Sequence, residues 1–379
     1  MPQIISTFPV YLVNRAVAHI FYSLCTSDKQ SEIQFKMVVP NCEESCRGLN
    51  VIEAVPQALK FLIYRIKLTN RLVESRLIGE LNDSPAAYVW TDISINTLKR
   101  IKQLGKTIFL EQINCYSGKS KSILDDAYQK LGLKESELSK NVTTIPTEKK
   151  IQQENQKIEL ADFIFCPSPE VKKSFEEIGI PDKKLFLTSY GWSPERFLDR
   201  ERTKSEDSPF TVLFVGSICV RKGSHLLLRA FVKSGIKGKL ILCGQIEPII
   251  AEVCKDMLAR QDIVHFPYNP DISLAYKTAD IFAFPSLEEG GPLVTYEAMA
   301  HGLPVIVSPM GGGAIVREGI DGFIVHPYDE DALIESLRKL AYSPDLRATM
   351  GKAALKRAQE FTWDKVAARR NQFILDCLA

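Results

Sequence analysis

Two glutamates with a glycine-containing loop between them are the side chains best placed to do chemistry in this sequence. Glu289 follows a strand-like apolar run, and Glu297 stands eight residues later in a helix-forming run. A carboxylate accepts hydrogen bonds from hydroxyl groups, so this pair could hold a ligand that carries several hydroxyls. Residues 284–307 are typical of strand, loop, helix and strand in that order, which places both carboxylates beside one turn.

The start of that helix is suited to bind an anion. Pro292 favours the first helical position, so the amides of Leu293, Val294 and Thr295 are expected to point outward without partners. Free amides at a helix start bind phosphate groups. The whole stretch therefore predicts a site for a phosphorylated ligand that also carries hydroxyl groups.

A second turn, residues 215–224 with the sequence VGSICVRKGS, adds positive charge. Gly216 permits a tight exit from a strand, Gly223 admits a ligand close to the backbone, and Arg221 and Lys222 can reach a diphosphate. The turn spells neither GxxxxGK[ST] nor GxGxxG, so it is no Walker loop and nicotinamide binding loses support. In an open parallel sheet, both turns emerge at the same edge.

Alternating strands and helices are expected to position these turns. The second half of the chain predicts a doubly wound parallel sheet, and the polar residues 191–209 predict a linker before it. The domains are thus residues 1–190 and 210–361, followed by a helix over 362–379. The strands predicted for the second domain are 211–215, 239–243, 262–266, 280–284, 304–307 and 322–325.

The first half shows the same alternation less clearly. Residues 56–80 predict one long basic helix. Such a helix either lies on an anionic membrane surface or packs on a sheet with its charged face in water, and the second is the more common case. The strands predicted here are 4–8, 33–39, 86–90, 106–110, 161–168 and 184–188.

Composition restricts the function classes. A chain of 379 residues suits two domains, and its net charge of +2 gives no signature of nucleic-acid binding. Nine cysteines form no framework, and Cys42 and Cys46 alone are too few for a metal site, so we expect reduced thiols. No apolar run is long enough to span a bilayer and no signal peptide is apparent, so a cytoplasmic location is expected.

Three segments carry a family resemblance. They read VGSICVRKGSHLLLRAF, ADIFAFPSLEEGGPLVTYEAMAHGLPVIV and GGGAIVREGIDGFIV. They look like the carboxyl-terminal domain of glycosyltransferase family 4, whose members are retaining enzymes that use nucleotide sugars. The similarity covers nearly all of 190–363. It implies the GT-B fold, with two Rossmann-like doubly wound domains facing across a cleft and a last helix that crosses back to the first domain.

The resemblance implies a role for each charged side chain. Glu289 would face the hydroxyls of the donor sugar and stabilise an oxocarbenium-like transition state, and Glu297 would hold the ribose. Lys222, assisted by Arg221, would neutralise the leaving diphosphate. No metal is expected, because these cations and the helix end supply the positive field. The other implied donor-site residues are Gly216, Ser217, Phe266, Pro267 near the base, Gly290 and Gly291 leaving room for the sugar, and the amides of Leu293 and Val294.

The acceptor side matches the family less well. The Gly-Gly loop expected after the first strand is TFPVY here, so Pro9 is an acceptor candidate only by position. His19 is another, although a lone histidine on an apolar helix is more often packed in a core. Glu111, Asn114 and Lys119 follow a predicted strand, where ligands bind in open sheets, unless this is only a hydrophilic loop.

The sequence departs from the family pattern at two further positions, and it leaves two alternative functions open. Ser217 stands where the family often has arginine, and Pro292 removes an amide that could contact the sugar. The main prediction is a retaining transferase that acts on a sugar, lipid-linked or small-molecule acceptor. A peripheral contact with the inner face of the membrane is a secondary expectation. A nucleotide-sugar epimerase of the same fold and a non-catalytic subunit that binds a nucleotide sugar are the alternatives.

Overall fold

A computed structural model describes most of the chain. The described residues are 1–13, 16–48, 50–56, 58, 60–65, 68–133, 145–197, 203, 208–267 and 272–379. They form two parallel sheets, one of seven strands and one of six, each flanked by helices. The two-domain α/β fold predicted from the sequence is therefore confirmed.

The first sheet has the strand order β3-β2-β1-β4-β5-β6-β7, and all neighbours pair in parallel. Its strands are β1 Gln3–Thr7, β2 Gln34–Val39, β3 Val51–Glu53, β4 Ala86–Trp90, β5 Thr107–Glu111, β6 Phe163–Cys166 and β7 Leu185–Leu187. Its helices are α1 Ala16–Thr26, α2 Lys60–Arg65, α3 Thr69–Glu80, α4 Ile95–Gln103, α5 Ser117–Lys130, α6 Glu148–Leu160 and α7 Pro169–Glu176.

The second sheet has the order β10-β9-β8-β11-β12-β13 and is also parallel. Its strands are β8 Phe210–Val215, β9 Gly238–Cys243, β10 Ile263–Phe266, β11 Ile281–Phe284, β12 Val305–Val307 and β13 Gly322–Ile324. The remaining helices are α8 Ser224–Ser234, α9 Pro248–Val253, α10 Lys255–Leu258, α11 Ser273–Thr278, α12 Leu293–Ala300, α13 Pro309–Gly312, α14 Glu330–Tyr342, α15 Pro344–Ala358 and α16 Trp363–Leu378.

Strand order reverses at one place in each sheet, between β1 and β4 and between β8 and β11. Loops on either side of such a reversal diverge and leave a crevice at the carboxyl ends of the strands. In the second domain these are the loops after β8 and after β11, which hold Lys222 and Glu289. The topology thus explains why residues almost seventy positions apart can share one site.

One prediction for the first domain is wrong, and one of its strands was not predicted. The single helix expected over 56–80 is two helices in the described residues, since α2 ends at Arg65 and α3 begins at Thr69 after Leu68, which is not helical. The short edge strand β3 was not predicted, because three residues carry too little periodicity to indicate a strand. In the second domain all six predicted strands are present, displaced by at most one residue at either end.

Helix α16 returns to the first domain, as the resemblance implied. It packs along α1. The Arg370 guanidinium binds the Glu111 carboxylate at the end of β5, with nitrogen–oxygen distances of 2.6 and 3.1 Å. The Phe373 ring stacks on Phe186 with centroids 3.7 Å apart. The apolar stripe of the last helix therefore lies on the first domain.

Candidate active site

Backbone hydrogen bonds join the two turns of the second domain. The carbonyl of Arg221, in the turn after β8, accepts from the amides of Leu287 and Glu288 at 2.9 and 3.3 Å. Gly223 has φ 65°, and a Cβ there would lie 1.9 Å from the carbonyl oxygen of Pro285. The absence of a side chain at Gly223 therefore lets the two turns touch. The sequence had predicted that this glycine admits a ligand, but the space beside it is filled by the Pro285 carbonyl.

Charged side chains from both turns meet in one cluster. The Arg221 Nη1 lies 3.3 Å from Glu289 Oε2 and 3.0 Å from Glu288 Oε2, and the Lys222 Nζ is paired with Glu289. Burial lowers the pKa of Lys222 well below its usual range, and Arg221 lowers it further against the opposing effect of Glu288. Lys222 therefore depends on an anion beside it to keep its charge.

Sequence reasoning missed Glu288. Its carboxylate is almost completely buried, with 1% of the residue exposed, and it pairs with Arg221. A buried carboxylate is costly unless it is paired. The doubled acid Glu288–Glu289 was the available signal, since two adjacent acids after an apolar strand cannot both face water on the same side.

The second predicted carboxylate, Glu297, lies on α12 and is also buried. The Tyr276 hydroxyl donates to Glu297 Oε2 at 3.0 Å, and Arg196 Nη1 lies 3.9 Å from Glu297 Oε1. Burial raises the pKa of the Glu297 carboxyl, while Arg196 and Tyr276 act to lower it. Arg196 comes from the segment that joins the two sheets, and sequence reasoning did not identify it.

The start of α12 differs from the prediction by one residue. Pro292 precedes the helix, which begins at Leu293, and the Thr295 amide donates to the Pro292 carbonyl at 3.0 Å. Thr295 is thus not a free donor. Leu293 and Val294 occupy the first turn, where a helix offers no internal partner for an amide, so the predicted anion site is reduced to these two.

Gly290 and Gly291 do not leave room for a sugar on the side where a Cβ would project. A Cβ on Gly290 would lie 1.6 Å from the Ile113 carbonyl oxygen, and one on Gly291 would lie 2.6 Å from the Tyr190 ring. Both positions need glycine because the first domain packs against this loop. The structure corrects the prediction in that respect.

The other predicted donor residues line the same edge of the sheet. Gly216 has φ 131° and Ser217 is exposed, both directly after β8. Phe266 is 49% exposed at the end of β10, and Pro267 follows it in an exposed position. An exposed aromatic ring at the carboxyl end of a strand of the same sheet suits the flat face of a base.

Of the predicted acceptor contacts, Glu111 does not reach the cleft. It is fully buried, and both of its oxygens are taken by Arg370. Lys119 forms an ion pair with Glu177 at 2.9 Å. Asn114 is exposed and lies beside the Gly290 loop, and it is the member of this group that stands close to the charged cluster.

Pro9 is half-buried after β1, and His19 is buried in α1. The His19 Nε2 lies 3.2 Å from the Ser193 hydroxyl oxygen, and its ring meets Trp363 edge-on. Burial, together with the charge of Arg196, lowers the pKa of His19 to about 4. His19 is therefore a neutral packed histidine at the junction of the domains.

A small cavity of about 190 Å³ opens at the carboxyl ends of β4 and β5, beside Asn114. Asp92 and Lys150, which sequence reasoning missed, contribute opposite charges to its wall. Glu154, also in the wall, accepts from the Ser117 amide at 2.7 Å. Across the part of the chain that the structure describes, no three His, Cys, Asp or Glu side chains are grouped as metal ligands.

The second domain is similar in sequence to known glycosyltransferases. Residues 195–357 match the family Glycosyl transferases group 1. An uncharacterized glycosyltransferase of Methanocaldococcus jannaschii is 27% identical over 231 residues, which are 55% of this chain and 59% of that protein. The D-inositol 3-phosphate glycosyltransferase of Streptomyces coelicolor is 33% identical over 173 residues, 41% of this chain and 38% of that protein. The chain thus spans less than two thirds of the curated relatives it matches.

Solved structures match the whole chain. Sucrose-phosphate synthase from Thermosynechococcus elongatus aligns with a TM-score of 0.70 and 18% identity, covering 100% of this chain and 99% of that one. Anabaena HepE in complex with UDP-glucose aligns with a TM-score of 0.64 and 13% identity, covering 99% of each chain. This likeness confirms the predicted GT-B fold.

Proposed function

We propose that this chain is a retaining glycosyltransferase that moves a sugar from a nucleotide diphosphate sugar to a hydroxyl group of an acceptor. One observation carries the proposal. Arg221 and Lys222 meet Glu289 at one edge of a doubly wound sheet, beside the first turn of α12. Cations, two helix amides and an acid in one crevice match the charges of a diphosphate sugar. The family match over residues 195–357 supports the same function.

The charges in the cluster indicate what the donor does on binding. In the described structure Arg221 and Lys222 are balanced by Glu288 and Glu289. A diphosphate is the better partner for both cations, because it brings more negative charge to them than one carboxylate. It displaces Glu289 from Lys222, and Glu289 then faces the sugar, where its charge stabilises the positive character of the transition state.

Glu297 holds the nucleotide in this proposal. A carboxylate accepts two hydroxyl protons of a ribose, one on each oxygen, and Glu297 has Tyr276 and Arg196 to keep it in place. The base rests on the exposed end of β10, near Phe266. Because the structure of HepE contains UDP-glucose, uracil is the first base to test.

The acceptor is proposed to enter the cavity of the first domain. Three polar side chains in its wall suit hydroxyl groups: the carboxylate of Asp92 accepts hydrogen bonds, the amide of Asn114 both donates and accepts them, and the ammonium of Lys150 donates them. A volume of about 190 Å³ has the size of one sugar ring or a small polyol. These residues replace Glu111 and Lys119 as acceptor contacts.

We also propose that the first domain touches an anionic membrane surface. Phe61, on α2, is 82% exposed, and Tyr64 one turn later is 38% exposed. Residues 60–76 contain five basic residues and one acidic residue. Apolar rings next to positive charge bind the headgroup region of such a membrane. In the described residues no helix is both long enough and apolar enough to cross a bilayer.

The membrane contact is tested by sedimentation with vesicles of phosphatidylserine and phosphatidylcholine at low salt. The protein should sediment, and it should stay in the supernatant at high salt or when Phe61 is replaced by serine. Equal sedimentation with purely zwitterionic vesicles, or none with either, contradicts this part of the proposal.

The transferase is tested with Glu289→Gln. Transfer from UDP-, GDP- or ADP-sugars to a panel of sugars and polyols should fall by roughly 10²- to 10³-fold, because the charge that stabilises the transition state is gone. The control is Glu335→Gln, an exposed glutamate on α14 that pairs with Lys339. NMR of the product should show retained anomeric configuration. Full transfer by Glu289→Gln, or conversion of the donor to its epimer without acceptor, refutes the assignment.

A further inference from the structure

Glu288 is held by both domains at once. Its Oε2 is 3.0 Å from Arg221 Nη1, in the turn after β8 of the second domain. Its Oε1 accepts from the Cys115 thiol at 3.6 Å, in the loop after β5 of the first domain. Only 1% of Glu288 is exposed, so water does not serve as a substitute partner. Each oxygen therefore relies on a side chain from a different domain.

Arg221 is shared between two adjacent carboxylates. Its Nη1 contacts Glu288 Oε2 at 3.0 Å and Glu289 Oε2 at 3.3 Å, and it also donates to the Glu288 carbonyl at 3.2 Å. The positive charge of Arg221 is therefore shared between the carboxylates of Glu288 and Glu289. Without Glu288, the whole charge of Arg221 would fall on Glu289, and Glu289 would be harder to displace.

The contact with Cys115 exists because the domains are closed over the loop that holds Glu288. The backbone of Ile113 and Asn114 lies so near Gly290 that a Cβ there would be 1.6 and 2.9 Å from the Ile113 carbonyl oxygen and the Asn114 Cα. If the domains separated, Cys115 would leave Glu288 Oε1 to water. The hydrogen-bonding state of Glu288 therefore depends on whether the domains are closed.

We propose that Glu288 is a positioning residue for Arg221 and links domain closure to the charged cluster. It keeps Arg221 directed at the diphosphate and takes up part of its charge, so that Glu289 is released to the sugar. Closure of the first domain completes this arrangement by bringing the Cys115 thiol to the second oxygen. This inference rests on the proposed transferase function, because it concerns the same donor site.

The test is Glu288→Gln, which keeps the shape of the side chain and removes its charge. The kcat for transfer should fall by about tenfold or more, because Glu289 stays on Arg221 and does not reach the sugar. Asp321→Asn is the matched control. Asp321 is a fully buried carboxylate of the same domain, paired with Arg317 at 2.7 Å. The Asp321→Asn substitution should lower the melting temperature and leave kcat and KM as in the parent.

The Cys115 part is tested by two variants and a double mutant. Cys115→Ser keeps a donor and should retain most of the parent kcat, whereas Cys115→Ala should lose about threefold or more because Glu288 Oε1 is left unpaired. Adding Cys115→Ala to Glu288→Gln should cause little further loss in kcat. Additive losses would show that the two residues act separately and would overturn the link.

The outcomes distinguish the two proposals. If the parent enzyme turns over no nucleotide sugar, the transferase proposal fails and this inference falls with it. If the parent is active and Glu288→Gln behaves like Asp321→Asn, with a lower melting temperature and unchanged kcat, Glu288 has a structural role only. A raised donor KM with unchanged kcat contradicts the release of Glu289 and also overturns the inference.

Discussion

Replacing Arg370 with methionine should destabilise the protein by about 3 to 5 kcal/mol, because it leaves a buried carboxylate without its counter-ion. The Arg370 guanidinium contacts Glu111 at 2.6 and 3.1 Å, the Tyr88 hydroxyl at 3.0 Å and the Ser189 carbonyl at 3.0 Å. Burial alone lowers the pKa of Arg370, but Glu111 and Tyr88 more than offset this and raise it.

The magnitude follows from what remains after the substitution. Glu111 is 0% exposed, and it keeps the hydrogen bond from the Tyr88 hydroxyl, at 2.5 Å from Oε2, but loses its counter-ion. Methionine fills the space of the arginine stem, so the loss is that of the charge partner and not of packing. The same change at Lys339, whose pair with Glu335 is half exposed, should cost less than about 0.5 kcal/mol.

The measurement is thermal and urea unfolding followed by tryptophan fluorescence, since Trp363 on α16 and Trp192 report on this junction. A loss of 3 to 5 kcal/mol lowers the melting temperature by roughly 6 to 20 °C for a domain of this size. The double variant Arg370→Met with Glu111→Leu should recover most of the stability, because neither charge remains buried. A stability of Arg370→Met within about 1 kcal/mol of the parent would refute this reasoning.

Three other predictions concern the junction of the domains and the candidate site. The pKa of His19, lowered from 6.5 to about 4, makes the folded state lose up to about 3 kcal/mol as the pH falls between these values, because the unfolded state takes up the proton first; His19→Gln should lack this part of the loss in urea titrations at pH 7 and 4.5. Gly290→Ala should reduce kcat/KM by about tenfold or more with a nearly unchanged melting temperature, since its Cβ would meet the Ile113 carbonyl and keep the domains apart; an unchanged kcat/KM would contradict the closed contact. The raised pKa of Glu297 means that UDP affinity should decline as the pH falls, starting above the ordinary carboxyl value of 4.5, and calorimetry on Glu297→Gln should show weak binding without this pH dependence.

The meeting of the two charged turns of the second domain could be predicted from the sequence because its signals are local. The turn after β8 and the loop after β11 each combine a strand, a short connection and a helix within about twenty residues, and the sheet order brings them together. Arg221, Lys222 and Glu289 therefore met as expected.

The rest depends on contacts between distant parts of the chain. Glu111 looked like a ligand contact because its partner, Arg370, is 259 residues away. Gly290 looked like space for a sugar because the Ile113 carbonyl that fills this space belongs to the other domain. Residues 56–80 showed helical composition throughout, and nothing in the spacing indicated that the helix would stop before Thr69. Periodicity predicts which face of an element is buried, but not the partner that buries it.

The chain crosses between its domains twice, and the two crossing segments lie side by side at Trp192 and Thr362. Trp192 on the outward path bridges Thr362 on the return path, and its indole nitrogen donates to the Ala358 carbonyl at 2.8 Å. A single tether would let one domain twist and slide against the other. Two chain segments joined side by side would restrict this motion chiefly to rotation about an axis through Trp192. The first domain would then approach the loop that holds Glu288 along one arc each time the domains close, and Cys115 would meet Glu288 in the same register.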